Sequence, residues 1–213
     1  MRKFILLSLL VVTALAVFAQ RDQPRGNAGV FDYYVLSLSW SPQHCSTPAG
    51  DRDREQCGGG RQYNFVVHGL WPQYERSWPQ FCDDSRVPRG LAEGMLPLMP
   101  SLNLIYHEWK KHGTCSGLSQ EKYFDTVKQA RSKIKIPNDY LSPRNALRIT
   151  PGEMKAKFTA ANPALKENMF GVNCSGRFLV EVDVCMTKDL NFRACSRDVR
   201  DNCPAEFIVQ PVR

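Results

Sequence analysis

The chain has 213 residues, with 28 Lys and Arg against 21 Asp and Glu, eight Cys, 43% hydrophobic residues and 23% charged residues. This length suits one domain, or two small ones, and is sufficient for a sizeable core. The composition excludes a wholly disordered chain and a collagen-like or coiled-coil protein. The formal net charge of +7 favours anionic partners, because a positive field attracts them from a distance.

The first 19 residues are predicted to form a secretory signal peptide. Arg2 and Lys3 precede an apolar run over residues 4–17, and a small-residue exit ends at Ala19. A basic start, a short apolar run and such an exit are typical of export signals. The run is shorter than the about 20 apolar residues that span a bilayer. We therefore expect cleavage near Ala19, no membrane anchor, and a secreted or periplasmic domain of residues 20–213.

Eight cysteines lie in the predicted mature domain. An even number of cysteines in an exported protein favours a disulfide framework. Their spacings include no Cys-x2-Cys pair, and the sequence shows no Cys/His quartet of the kind that binds zinc. Four bridges allow roughly a hundred pairings, so the count alone leaves the pairing open.

Strand patterns occur near both ends of the domain. Alternation of apolar residues with a period of two predicts strands over residues 33–40 and 177–186. Residues 64–70 are rich in β-branched and aromatic side chains, which predicts a third strand.

Helices are predicted between these strands. Residues 102–112 are expected to form a helix that stops in a left-handed turn at Gly113. A second helix is expected to begin at Ser119 and to end before Pro137. A third follows the capping-box sequence TPGEM, which starts at Thr150. This order predicts an α+β fold, a disulfide-stabilised single domain with a central antiparallel sheet and helices packed around it.

Three of the four histidines lie in two short segments. His68 belongs to FVVHGLWP, whereas His107 and His112 belong to HEWKKHGTC. On a helix, both of the latter histidines project within about 140° of arc together with Glu108 and Lys111. One helix face would therefore carry two imidazoles, a carboxylate and an ammonium group.

Two interpretations of this face involve no RNA chemistry. The pair His107-Glu108 resembles the start of the zinc motif His-Glu-x-x-His, but the residue four positions after His107 is Lys111. An ammonium group at that position repels a dication. Alternatively, charged residues four positions apart, such as Glu108 and His112, are often solvated pairs on a helix surface.

The third interpretation is acid–base cleavage of RNA. The 2′-hydroxyl of RNA can attack its own phosphorus, so that cleavage needs one base, one acid and a cation near the phosphoryl oxygens. His68 and His112 would flank the phosphorus, and Lys111 would supply the cation. The reaction needs no cofactor and no metal ion, and we expect DNA, which lacks the hydroxyl, to survive.

Two segments resemble the signature motifs of the ribonuclease T2 family. They are FVVHGLWPQY and HEWKKHGTC. The segments SLSWSPQHC, TPGEM, AANPAL and FLVEVDVC also resemble that family in order and spacing. The resemblance covers essentially the whole predicted mature domain, and it implies a secreted endoribonuclease that cleaves single-stranded RNA.

The resemblance also implies a role for each motif residue. His68 would be the general acid and His112 the general base of a transesterification. His107 would contact the substrate phosphate, while Glu108 and Lys111 would polarise it and stabilise the pentacoordinate species. The product would be a 2′,3′-cyclic phosphate, which is later hydrolysed to a 3′-phosphate.

The local sequence adds an expectation about the charge of His112. This residue is predicted to lie in the last turn of a helix, one turn after Glu108. The negative end of the helix and the carboxylate should both favour the protonated imidazole.

By the same resemblance, Trp71 would be a stacking platform for the base whose ribose is attacked, and the alternative is a buried core tryptophan. Stacking contributes about 1–3 kcal/mol per base with little choice among bases, which favours low base specificity. Tyr74 is a further candidate for this site. His44 lies outside both motifs, and we interpret it as a loop or packing residue.

The resemblance finally implies a pairing of the cysteines. The pairs are Cys45–Cys57, Cys82–Cys115, Cys174–Cys203 and Cys185–Cys195. We expect a monomer whose partner is RNA. The alternative function is a catalytically silent scaffold of the same fold that binds RNA or a protein, and the intact acid and base positions argue against it.

Overall fold

The computed structural model describes residues 25–212. The predicted signal peptide, residues 1–19, lies outside the described residues. The described part contains six strands and six α-helices, which in chain order are β1 (Tyr33–Trp40), α1 (Ser41–His44), α2 (Arg54–Cys57), β2 (Phe65–Gln73), α3 (Arg89–Glu93), α4 (Leu102–Lys111), α5 (Gln120–Ser132), β3 (Leu147–Ile149), α6 (Pro151–Ala161), β4 (Phe170–Ser175), β5 (Phe178–Met186) and β6 (Phe207–Val209).

The strands form one sheet around which the helices pack. The order is β2-β1-β5-β6-β3, and β4 pairs with β5. The pairs are antiparallel except for β5 and β6, which run parallel where Phe178 faces Ile208. The predicted α+β fold is confirmed. Strands β3, β4 and β6 were not predicted, because two of them have only three residues and β4 is interrupted by Gly171 and Asn173.

Strand β1 is buried on both faces of the sheet. One face carries Tyr34, Leu36 and Leu38 into the main hydrophobic core. The other face carries Tyr33 and Val35 into a smaller cluster with Cys185, against which Trp71 packs. The second face of the sheet is therefore only partly covered, and it is apolar around Tyr33, Val35 and Cys185. This face borders the candidate site.

Helix α4 ends differently from the sequence prediction. The residue after its last turn is His112, whose N–H donates to the carbonyl of Glu108 at 2.9 Å. Gly113 then opens a 3-10 turn, and the left-handed residue is Gly117, with a φ of 72°. The left-handed turn predicted at Gly113 is wrong. A Cβ atom there would lie 2.5 Å from the ring of Trp109, so this glycine serves close packing instead.

Helices α5 and α6 begin at the predicted residues. The side chain of Ser119 caps α5, and the helix ends at Ser132, before the predicted limit. The capping box of α6 is present, because Thr150 Oγ1 accepts the N–H of Glu153 at 3.1 Å while Glu153 Oε2 accepts the N–H of Thr150 at 2.7 Å. The hydroxyl of Tyr123 in α5 donates to the carbonyl of Leu70 at 2.9 Å, which fixes α5 to β2.

Four disulfides cross-link the described domain. They are the four pairs implied by the family resemblance: Cys45–Cys57, Cys82–Cys115, Cys174–Cys203 and Cys185–Cys195. The second joins the loop after β2 to the 3-10 turn that follows α4. Within residues 25–212, the helices are too short or too polar to cross a bilayer.

We predict that replacing Cys82 and Cys115 together by Ala lowers the free energy of unfolding by about 3–4 kcal/mol, because the bridge closes a long loop in the unfolded chain. The two cysteines are 33 residues apart. Urea unfolding of the oxidised proteins measures the loss. The double Ala variant of Cys174 and Cys203 is a matched comparison, because these cysteines are 29 residues apart. Its free energy of unfolding should fall by a similar amount, since the two loops have similar lengths. A Cys82/Cys115 variant as stable as the parent protein would contradict the prediction.

Candidate active site

A β-bulge in strand β2 determines where His68 points. Ser37 of β1 pairs with Gly69 and Leu38 pairs with Val67, so that His68 is the extra residue in the ladder. In a regular strand, residues three apart point to opposite faces. The bulge removes this alternation and brings His68 and Trp71 together, with their ring centroids 5.2 Å apart. Bulges next to active sites commonly redirect a side chain in this way.

Glu108 joins helix α4 to the bulged strand. Its side chain is only 2% exposed, and its Oε2 accepts the indole N–H of Trp71 at 2.6 Å. Its Oε1 lies 3.6 Å from His68 Nε2. Burial raises the pKa of the Glu108 carboxyl, and the nearby His68, Trp71 N–H and Lys111 offset this increase only in part. The carboxylate therefore links the two predicted motifs directly.

His68 is held in an acidic environment. Its Nδ1 lies 3.1 Å from Glu181 Oε2, and its side chain is 34% exposed. Burial of the ring lowers the pKa of His68, but the hydrogen bond to Glu181 and the charges of Glu108, Glu181 and Asp183 outweigh this effect. The pKa of His68 is therefore raised, which favours the protonated imidazole near neutral pH.

His112 has the opposite preference. The residue is 5% exposed, and the centroid of its ring lies 5.2 Å from that of Trp71. Burial, together with the charges of Lys111, His68 and His107, lowers the pKa of His112 to about 2. Among the described residues, none forms a hydrogen bond with its buried Nδ1. The structure therefore gives a neutral imidazole at this position.

The expectation that His112 favours its protonated form is wrong. It assumed that the carboxylate of Glu108, one turn earlier, would face this histidine. The carboxylate instead turns towards Trp71 and His68. His112 is removed from water and is repelled by the charge of Lys111, so that burial and repulsion outweigh the favourable effect of the helix end.

The predicted site residues of both motifs line one cavity of about 270 Å³. The structure brings together His68, Trp71, His107, Glu108, Lys111 and His112. His107 is exposed, whereas Glu108 and His112 are buried. Among residues 25–212, no three His, Cys, Asp or Glu side chains are grouped so that they could hold a metal ion.

A larger cavity of about 810 Å³ lies next to the smaller one. It shares His68 and His107 with the smaller cavity, and its walls include the arginines Arg52, Arg54 and Arg89. His44 also lies in this wall, with its Nε2 3.2 Å from Asp53 Oδ2. The two cavities therefore adjoin each other at His68 and His107.

Sequence reasoning missed two residues of the site. Glu181 contacts His68 from β5, and its position within the apolar segment FLVEVDVC was the signal that could have revealed it. Trp78 is 39% exposed and also lines the smaller cavity. Tyr74, which we considered for this site, packs against the main core instead.

This geometry suits proton transfer at an anionic group. A protonated imidazole at His68 can donate a proton, and a neutral imidazole at His112 can accept one. Lys111 lines the same cavity and supplies a positive charge. The tryptophan ring beside both histidines offers an apolar face to a planar ligand.

Comparisons with known proteins agree on one family. The family model described as Ribonuclease T2 family matches residues 31–195. A ribonuclease of Aeromonas hydrophila is 39% identical over 176 residues, which cover 81% of this chain and 79% of that protein. The crystal structure of RNase NT in complex with 5′-AMP superposes with a TM-score of 0.70 at 25% identity, over 85% of this chain and 99% of that one.

The fold is shared more widely. The RNase-related protein from Calystegia sepium superposes with a TM-score of 0.69 at 22% identity, over 88% of this chain and 99% of that one. Together with the family match over both histidine motifs, these similarities identify the protein: it belongs to the ribonuclease T2 family and is a T2-type endoribonuclease whose substrate is RNA.

Proposed function

We propose that the protein cleaves single-stranded RNA without a metal ion, by acid–base transesterification to a 2′,3′-cyclic phosphate and then to a 3′-phosphate. The observation that supports this most strongly is the pair of histidines with opposite protonation preferences in one cavity. The pKa of His68 is raised and that of His112 is lowered to about 2. An acid and a base of this kind are what the two proton transfers of the reaction require.

In the first step, neutral His112 accepts the proton of the 2′-hydroxyl, and the 2′-oxygen forms a bond to phosphorus. The bond between phosphorus and the 5′-oxygen breaks, and protonated His68 donates its proton to that oxygen. Lys111 and His107 stabilise the negative charge on the phosphoryl oxygens. In the second step water attacks the cyclic phosphate, and the two histidines exchange roles.

The fixed carboxylate of Glu108 supports this chemistry indirectly. It accepts the Trp71 indole N–H at 2.6 Å and lies 3.6 Å from His68 Nε2. It therefore favours the protonated form of the acid, and it holds the base-stacking ring in place beside both histidines.

The two cavities suggest how the strand lies across them. The attacked ribose must approach His112, so we place its base in the smaller cavity with Trp71 and Trp78. Stacking on indole rings accepts any base, which supports low base specificity. The leaving nucleoside must approach His68, which places it in the larger cavity, where the arginines can attract the following phosphates.

We further propose that the protein acts as a secreted or periplasmic monomer, with residues 1–19 as a cleaved signal peptide and residues 20–213 as the mature domain. Four disulfides are typical of an oxidising compartment. The catalytic residues come from a single chain, so that the site needs no second copy. The alternative of a silent scaffold has no support from the site, since the acid, base and cation are all present.

The proposed mechanism predicts that RNA is degraded in the presence of EDTA, whereas DNA of the same sequence survives, because only RNA carries the attacking hydroxyl. Mass analysis of the products should detect 2′,3′-cyclic phosphates first and 3′-phosphates later. Loss of activity on chelation, or cleavage of the DNA, would contradict the mechanism.

The opposite pKa directions predict a broad bell-shaped dependence of kcat/KM on pH. Activity is lost at low pH when His112 becomes protonated, and at high pH when His68 loses its proton. Since the pKa of His112 is lowered and that of His68 is raised, the acid limb should lie well below about 6.5 and the alkaline limb above it. Residual activity of His68→Ala should lack the alkaline limb. Two limbs on the same side of that pH would overturn the assignment of acid and base.

The contact between Glu108 and Trp71 depends on a glycine. A Cβ atom on Gly69 would collide with both Glu108 Oε2 and Trp71 Nε1. We predict that Gly69→Ala lowers kcat/KM on RNA about a hundredfold. The added methyl group displaces Glu108 and Trp71, and small displacements of groups that position a reaction are costly. Gly90→Ala is the control, since nothing lies within 4 Å of its added methyl group. If Gly69→Ala folds, as judged by circular dichroism, and has parental kinetics, this contact is unimportant for catalysis.

A further inference from the structure

Strand β5 carries two carboxylates on the face of the sheet that borders the site. Glu181 and Asp183 are two positions apart and alternate along the strand with the buried side chains of Val182 and Val184. Acidic residues inside a central strand are costly to bury unless they have partners. This placement suggests a function that packing alone does not supply.

Glu181 is oriented by contacts from strands β1 and β2. Its Oε2 accepts the hydroxyl of Ser37 at 3.0 Å and lies 3.1 Å from His68 Nδ1. Ser37 is fully buried in β1, and the Glu181 side chain is 18% exposed. The donor from Ser37 thus holds the carboxylate in the position from which it meets His68.

This contact selects one tautomer of His68. An ionised carboxylate only accepts hydrogen bonds, so the Nδ1 atom that faces Glu181 must carry a hydrogen. In the neutral imidazole the single hydrogen then stays on Nδ1, and Nε2 becomes the free acceptor. Nε2 lies 3.6 Å from Glu108 Oε1 and therefore faces helix α4.

We propose that Glu181 is a positioning residue that keeps the hydrogen of His68 on Nδ1, so that Nε2 alone gives up and takes back the proton in both steps of RNA cleavage. This inference rests on the proposed function. It assigns to β5, which carries neither histidine motif, control over the orientation and charge of the general acid.

The other acidic groups near His68 do not contact its Nδ1 atom. Glu108 of α4 faces Nε2 and not Nδ1. Asp183 is buried, Asn173 donates to its Oδ2 at 2.7 Å, and burial raises its pKa to about 8. Among the described residues, Asp183 Oδ1 has no hydrogen-bond partner. Glu181 Oε2 lies 3.1 Å from Nδ1, so Glu181 is the carboxylate that meets this atom.

The experiment measures the rates at which the parent protein and Glu181 variants cleave two substrates. One is a dinucleotide, whose 5′-oxygen must be protonated as it leaves. The other is the nitrophenyl phosphodiester of a ribonucleoside, whose leaving group needs no acid. We expect Glu181→Ala to slow the dinucleotide about tenfold or more and the nitrophenyl ester less than about twofold. His68→Ala should show the same selectivity, whereas His112→Ala should slow both substrates.

The conservative variant separates charge from orientation. Glu181→Gln retains an oxygen that accepts the Nδ1 hydrogen but loses the negative charge. We expect it to regain most of the dinucleotide rate at the pH optimum, while its alkaline limb moves to lower pH by about one pH unit or more. Ser37→Ala should give a weaker effect in the same direction. The control is Glu206→Gln, which removes an exposed carboxylate that pairs with Arg148 at 3.2 Å, and it should behave like the parent protein.

A second measurement does not depend on activity. Nitrogen NMR of the His68 ring across pH reports both its tautomer and its titration. We expect the Nδ1–H tautomer in the parent protein and a lower titration midpoint in both Glu181 variants. Equal slowing of both substrates by Glu181→Ala, or an unchanged His68 titration, would overturn the proposal. If the parent protein cleaved neither substrate, the proposed function would fail, and the NMR result would still decide the contact.

Discussion

The site depends on the contacts that the buried carboxylate of Glu108 makes with Trp71 and His68. The carboxylate accepts the Trp71 indole N–H and lies beside His68, so that a residue of helix α4 is fixed to strand β2. A buried charge is tolerated only with such partners, because desolvation is costly. The same contact brings the two sequence motifs together, and it places Trp71, His68 and the helix that carries Lys111 around one cavity.

The environment of each histidine then decides the direction in which its pKa is shifted. His68 faces carboxylates from two directions, Glu108 from α4 and Glu181 from β5. His112 is buried next to Lys111 and has no carboxylate partner among the described residues. Identical side chains therefore differ in protonation at the same pH, which is the usual way in which one site supplies both an acid and a base.

The sheet gives this arrangement its rigidity. The bulge at His68 turns the ring towards the face that carries Glu181, and the Cys82–Cys115 bridge fixes the turn that follows His112. Gly69 leaves the space in which the Trp71–Glu108 contact forms. These features lie on strands and bridged turns, so that His68 and His112 are held in place before substrate arrives.

The sequence by itself determined the α+β class, the capping box at Thr150, and the motif residues that line the cavity, because spacing and residue type are local properties of the chain. Only the tertiary structure decided that His68 and Trp71 share one face, that Glu181 meets an imidazole 113 residues earlier in the chain, and that His112 is neutral. The physical reason is that orientation and charge depend on a register shift between strands, on burial, and on partners distant in sequence. No local pattern records these.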